Sequence, residues 1–167
     1  MKLREFVQDD IQSIVKHASN FNVSRYLTSK FPYPYKKEDA EWWINVGSKI
    51  GLHKAIDLDG ECIGGIGITF GQDEHQYTSL IGYWLGESHW GKGIATKALS
   101  IMTDEAFSQS GIKRLYAPVY SPNKASMRVL EKCGYVLEGV FIKSVYKNDS
   151  FMDEHIYAKL NSYCPGS

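Results

Sequence analysis

Apolar residues recur along the chain in two rhythms, and the switches between them outline the elements. Residues 3–7 alternate as a short first strand does, and behind Asp9 and Asp10, either of which suits a helix N-cap, Ile11, Ile14, Val15 and Ala18 return at helical spacing. The stretch Phe31, Pro32, Tyr33, Pro34, Tyr35 reads as a loop, because each proline biases the residue before it toward extended backbone. It feeds a predicted helix over 38–49. Three strand-like runs come next, 52–58, 61–70 and 77–85, broken at Asp59-Gly60 and at 71–75, both turn-forming, so an antiparallel meander is expected.

Beyond the meander the rhythm changes again. Ile94, Ala95, Ala98, Leu99, Met102 and Ala106 form the stripe of a long amphipathic helix, with Gly111 as its stop. A strand over 113–120 runs into Ser121, Pro122 and Asn123. Met127, Leu130 and Cys133 then mark one face of a short helix closed by Gly134. Two strands near 135–144 and 151–160, joined by a turn over 147–150, complete an α/β chain. No internal repeat or linker interrupts it, so one domain is expected over 1–167, with its core in about 1–160 and a short C-terminal tail.

Composition narrows the classes. At 167 residues one self-standing core is expected, and 43% hydrophobic with 23% charged residues is ordinary for a globular chain. No apolar run reaches the 18 or so residues of a membrane helix, and the charged start Met1 to Glu5 does not read as a signal peptide. Cys62, Cys133 and Cys164 are odd in number and never form a CxxC pair, which points away from disulfides and zinc and toward a cytoplasmic setting. Nineteen acidic residues balance nineteen basic ones, so no net field favours nucleic acid. His17, His53, His75, His89 and His155 nowhere adopt a metal-ligand spacing, and no metal is expected.

The most informative segment runs from Gly82 to Ala98, a strand passing through a glycine-bearing turn into a helix. Bare amides at a helix start, together with the positive end of its dipole, form an anion site, and glycines let a phosphate approach. The alternative is a tight turn that needs glycine only for positive φ. Two nucleotide patterns fail on the letters: Gly93 stands where a P-loop requires Ser or Thr, and Thr96 stands where the dinucleotide fingerprint requires Gly or Ala.

What the segment resembles is the pyrophosphate loop of the GNAT acetyltransferase superfamily, written Q/R-x-x-G-x-G/A. Gly91 and Gly93 fill the glycine sites, and the string from Trp90 to Thr96 is similar to the RimJ/RimL-like branch. Ser88 replaces the Gln or Arg, and Lys97 replaces the Glu common before Ala98. A second stretch resembles the superfamily's N-x-x-A/S-x-x-x-Y-E-K-x-G-F segment: Asn123, Ser126, Leu130, Glu131, Lys132, Gly134 and Tyr135.

The resemblance implies a mostly antiparallel, centrally splayed mixed sheet of about seven strands with about four helices, and acetyl-coenzyme A as cosubstrate. It implies that Trp84 and Leu85 offer backbone to the pantetheine arm, that Trp90, Gly91, Lys92, Gly93, Ile94 and Ala95 hold the pyrophosphate, and that Asn123 contacts the pantetheine. The Tyr that often protonates the leaving thiolate is replaced by Leu130, so Ser126 becomes the candidate acid, as in the RimJ/RimL-like branch. Asn123 also reads as a plain N-cap, and Ser126 as an ordinary helix residue.

Acetylating an ammonium needs a base, direct or through water. Where ribosomal enzymes of this branch carry a Glu, this chain has Val145 before Tyr146. Glu87 and Glu138 are the substitutes, each otherwise a solvated carboxylate. Phe31 to Tyr35, with Trp42 and Trp43, lies where the superfamily builds its acceptor side, although one of the tryptophans also suits simple core packing. The expected activity is direct acetyl transfer to a primary amine, with a protein or peptide N-terminus favoured over a small molecule, by a monomer or homodimer. The alternative, raised by Leu130 and Val145, is a catalytically weak coenzyme A-binding sensor or interaction module.

Overall fold

The structure is a computed structural model that describes residues 1–109 and 111–161. Its elements follow the chain as β1 (Lys2–Arg4), α1 (Ile11–Ala18), α2 (Phe21–Ser24), α3 (Lys37–Asn45), β2 (Leu52–Leu58), β3 (Glu61–Phe70), β4 (Thr78–Leu85), α4 (Ile94–Gln109), β5 (Arg114–Tyr120), α5 (Lys124–Lys132), β6 (Val136–Lys147) and β7 (Ser150–Leu160). The strands form one seven-stranded mixed sheet in the order β1-β2-β3-β4-β5-β7-β6. β1 runs antiparallel to β2, and β7 antiparallel to both β5 and β6. β4 and β5 are parallel, in register from Thr78↔Arg114 to Leu80↔Tyr116, whereas β5 stays paired to β7 from Arg114 to Tyr120.

The described residues divide into two compact units, one built from residues 1–67 and 82–98, the other from 68–81, 99–109 and 111–161. In the first, Phe6, Ile14, Tyr35, Ala40, Ile44 and Cys62 form a buried cluster against which Phe31, Trp43 and Trp84 pack. One corner of it is polar. Arg4 donates from Nε to Asp57 (2.6 Å) and from both terminal nitrogens to Asp10 (2.7 and 2.8 Å), and the Val7 amide donates to Asp10 (2.9 Å). Both carboxylates are buried, and a guanidinium fork that reaches two of them is the arrangement that offsets the desolvation of each. Arg4 holds the Asp57 carboxyl below the usual range.

This knot explains the first departure from expectation. β1 stops at Arg4 instead of continuing to residue 7, because Asp10 holds the Val7 amide at the start of a 3-10 turn over Gln8–Asp10 while its carboxylate also takes the Arg4 guanidinium. Asp10 serves that knot and makes no side-chain cap to α1. α3 ends at Asn45, and Val46 leaves helical geometry (φ −127°) before a 3-10 turn over Gly47–Lys49; Asn, Val and Gly in succession are poor helix formers. The described residues hold five α-helices against an expected about four, the short four-residue α2, capped by Asn20, being one that the apolar periodicity did not mark.

In the second unit the alternation of β5 places Leu115, Ala117 and Val119 inside. Leu99, Met102 and Ala106 of α4 and Met127 and Leu130 of α5 are buried as their spacing predicts. The Tyr135 hydroxyl and Thr103 Oγ1, both buried, share a 2.8 Å hydrogen bond. Burial drives the Tyr135 phenol up to about 12. β6 runs three residues past its expected end, and two register shifts against β7 interrupt it.

Candidate functional site

Among the described residues the first unit carries the glycine turn. β4 ends at Leu85, the Gly86 amide returns to the Ile63 carbonyl (2.8 Å), and Glu87–His89 makes one 3-10 turn. Two side chains brace the residues after it. The Trp90 indole N–H donates to the Leu85 carbonyl (2.7 Å), and Lys92 Nζ donates to the Ser88 carbonyl (2.9 Å). Gly91 and Gly93 then take φ of +72° and +74°, in the left-handed region that costs an L side chain roughly 1–2 kcal/mol.

Packing does not demand these glycines, because a Cβ built on either meets no atom within 4 Å. The turn therefore presents open backbone. The first ladder bond of α4 runs from the Lys97 amide to the Gly93 carbonyl (3.0 Å), so the amides of Ile94 and Ala95 precede the ladder at the positive end of a sixteen-residue helix. Glycines with open faces ahead of such amides fit a phosphate group. Leu85 already accepts the Trp90 indole, and a carbonyl has a second lone pair for another donor.

Gly86 differs, since a Cβ there would lie 2.5 Å from His17 Nδ1. His17 is buried, its Nε2 is 2.9 Å from Glu61 Oε1, and its ring meets the edge of His89 at 5.3 Å. Burial and the neighbouring His17 lower the His89 pKa. Glu87 accepts from the side-chain amides of Asn20 (2.7 Å) and Asn22 (2.9 Å), which hold its carboxyl below the usual range.

The second unit carries the other candidates. Asn123 is the N-cap of α5, its Oδ1 accepting the Ser126 amide at 3.2 Å. The cap uses the side-chain oxygen and not the side-chain nitrogen. Ser126 is the third residue of that helix and is half-buried. Leu130, at the position where the superfamily often has Tyr, is fully buried in the core. Glu138 on β6 is exposed and ion-paired with Arg114.

Trp84 to Ala95, with Glu87, thus lie on one strand–turn–helix segment of the first unit, and Asn123 and Ser126 on one helix start of the second. Trp43 packs edge-on to Phe6 (5.9 Å) and His53 (5.0 Å), whereas Trp42 is exposed. Phe31 lies against Tyr35 (4.9 Å) and Trp84 (5.7 Å), and Phe21 against Tyr33 (5.6 Å). Cys62 is buried with its thiol pushed up to about 12, far from a reactive thiolate; Cys133 is buried and unbridged, and Cys164 lies outside the described residues. Among the described residues no group of three His, Cys, Asp or Glu side chains could hold a metal, and no helix is long and apolar enough to cross a membrane.

Residues 1–136 match the acetyltransferase (GNAT) domain family. The chain belongs to that family. YoaA, an uncharacterized N-acetyltransferase of Bacillus subtilis, is 30% identical over 166 residues that cover 93% of this chain and 90% of the relative. The ribosomal-protein-serine acetyltransferase of Escherichia coli is 36% identical over 84 residues, 50% of this chain and 46% of that one, so the chain spans under half of it. A GNAT acetyltransferase from Bacillus anthracis superposes with a TM-score of 0.83 at 25% identity, covering 96% of this chain and 95% of its own. The family makes this chain an acetyl-coenzyme A-dependent acetyltransferase, and the seven-stranded mixed sheet is the family's fold.

The pairing of Asn20 and Asn22 with Glu87, and that of His17 with Glu61, escaped the sequence because both partners are separated by more than 40 positions. One local signal existed for the first pair. A Ser-Asn step before Phe21 is N-cap material, and it pointed to α2.

Proposed function

We propose that the chain transfers the acetyl group of acetyl-coenzyme A to a primary amine by direct attack, with the N-terminal amine of a peptide or protein as the favoured acceptor. The glycine pair carries the coenzyme part of this reading: positive φ at Gly91 and Gly93 with no protein atom in front of either. Acetyl-coenzyme A supplies the acetyl group as a thioester, whose carbonyl carbon the amine attacks as the thiolate leaves.

The residues of this chain divide the remaining work. The amides of Ile94 and Ala95 and the backbone of Trp90, Gly91, Lys92 and Gly93 hold the pyrophosphate, and the backbone of Trp84 and Leu85 pairs with the pantetheine amides. The Asn123 side-chain N–H, which the cap does not use, is the candidate donor to the pantetheine. The Ser126 hydroxyl donates to the departing sulfur. Glu138 is ion-paired with Arg114 and Glu87 accepts from two asparagine amides; in this reading the proton of the ammonium leaves through water, with either carboxylate as the alternative acceptor.

A protein acceptor is supported by the name of the Escherichia coli relative, a ribosomal-protein-serine acetyltransferase. Titration with acetyl-coenzyme A in a calorimeter, followed by thiol release over a panel of N-terminal peptides and small amines, tests both parts. Micromolar binding with fastest turnover on peptides is expected. Turnover confined to small amines refutes the acceptor, and no binding at millimolar ligand refutes the whole reading. Binding without turnover on any amine favours the sensor alternative that Leu130 suggests.

A further inference from the structure

The one acidic side chain on the glycine turn is held by two side-chain amides. Both carboxylate oxygens of Glu87 are occupied: Oε2 by Asn20 Nδ2 at 2.7 Å and Oε1 by Asn22 Nδ2 at 2.9 Å. The orientation of Asn20 is imposed by a third bond, since its Oδ1 accepts the Asn22 amide (2.8 Å) as the N-cap of α2. With its oxygen committed, Asn20 can present only N–H to Glu87, and position 87 must accept. The three residues close a ring of hydrogen bonds between the α1–α2 corner and the first residue past Gly86.

Four further contacts lie beside this ring. His17, near the end of α1, fills the space where Gly86 has no Cβ, and its ring meets His89 edge-on at 5.3 Å. On the other side, α2 begins with Phe21, whose ring rests on Tyr33 of the aromatic loop, and Phe31 of that loop rests on Trp84 of β4. The chain from α1 through the aromatic loop is therefore attached to the β4–glycine turn segment at Gly86, Glu87, His89 and Trp84.

We propose that Glu87 is a positioning residue, a carboxylate clasp that joins the α1–α2 corner and the aromatic loop behind it to the glycine turn, so that coenzyme affinity and acceptor affinity depend on the same contact. This inference rests on the coenzyme reading given above. Without the clasp the turn before Gly91 and the start of α2 loosen together, and each ligand must then order more backbone when it binds.

The chemistry of the ring supplies a discriminating variant. In Glu87→Gln the new carbonyl oxygen still accepts from Asn20, and the new N–H2 donates to Asn22 once the Asn22 amide turns over, so the clasp survives without charge. In Glu87→Ala it is lost. A catalytic carboxylate behaves otherwise, because both variants then lose the proton acceptor, and loss of a general base typically costs about 10²- to 10⁴-fold in kcat.

Three measurements test the clasp. Amide hydrogen exchange of the protein alone reports it without any ligand: exchange over residues 20–26 and 87–90 speeds up roughly three- to tenfold in Glu87→Ala and returns toward wild type in Glu87→Gln. Calorimetry with coenzyme A and steady-state kinetics then report its consequence. Coenzyme Kd and acceptor KM both rise about three- to tenfold in Glu87→Ala, with kcat at saturation little moved, and Glu87→Gln rescues both. Asn22→Ala, which removes one donor but keeps the Asn20 cap, has a smaller effect and is non-additive with Glu87→Ala.

The proposal is overturned if kcat collapses equally in Gln and Ala, if coenzyme affinity is unchanged in Ala, or if exchange in the two segments does not respond. Failure of the wild-type protein to bind coenzyme A overturns the coenzyme reading itself, while the exchange result still decides whether the ring holds the segments together.

Discussion

The glycine turn at 90–95 and the start of α5 at 123–126 are both helix N-termini, yet they are built in opposite ways. The turn is made by leaving side chains out: Gly91 and Gly93 hold positive φ with nothing in front of them, and Trp90 and Lys92 fold back onto the carbonyls of Leu85 and Ser88. The start of α5 is made by putting a side chain in, since Asn123 spends its oxygen on the Ser126 amide. A site made of backbone tolerates changes at the residues around it but no bulk at the glycines. A site made of a side chain couples any ligand contact to helix stability. The departures from the superfamily pattern at Ser88 and Lys97 fall around the first site, and backbone amides present themselves there whatever those side chains are.

Variants that push on this contrast should separate by size of effect. The largest belongs to Ser126. If its hydroxyl donates to the leaving sulfur, Ser126→Ala lowers the single-turnover rate by about 10²- to 10⁴-fold while coenzyme affinity stays near wild type. Single turnover is the measurement to use, because slow product release hides a chemical defect in steady state. A wild-type rate across the pH range would reduce Ser126 to an ordinary helix residue.

Next come the glycines. Gly91→Val and Gly93→Val place a β-branched residue at positive φ and fill the open face of the turn, so the calorimetric Kd for coenzyme A rises roughly tenfold or more, about 1.4 kcal/mol. Since no protein atom lies near either Cβ, the stability loss is limited to the backbone term, and urea denaturation distinguishes this from unfolding. Unchanged affinity in both would remove the turn from the coenzyme site.

The smallest effects test Asn123. Asn123→Ala removes the cap and costs about 1 kcal/mol of stability in urea denaturation. Asn123→Asp keeps the capping oxygen but replaces the N–H donor, so stability is retained while coenzyme affinity falls a few-fold. Equal affinity in Asn123→Asp and wild type would leave Asn123 as a cap alone and sharpen the contrast with the turn.

Legibility followed sequence distance. β2 and β3 begin and end where alternation and turn residues put them, because strand period and turn chemistry are local properties. The stripe of α4 from Ala98 to Ala106 and the face of α5 are buried for the same reason, while Ile94 and Ala95 at the helix start are only half-buried. β1, by contrast, is cut short by the Arg4 knot, whose partners Asp10 and Asp57 are read from no local pattern. Glu87 was legible as a carboxylate near the turn but not as one already holding two amides, because Asn20 and Asn22 lie 67 and 65 residues earlier.

The sequence by itself determined the family, the element order and the placement of two glycines ahead of a long helix, since hydrophobic period, glycine and capping residues act over a few positions. Only the tertiary structure decided what each polar side chain is bonded to. It placed an indole on the Leu85 carbonyl, a guanidinium between two buried carboxylates and two asparagines on Glu87. Those choices depend on which distant segments the folded core brings within hydrogen-bond reach, and bonding at about 3 Å cannot be read from a spacing of roughly sixty residues.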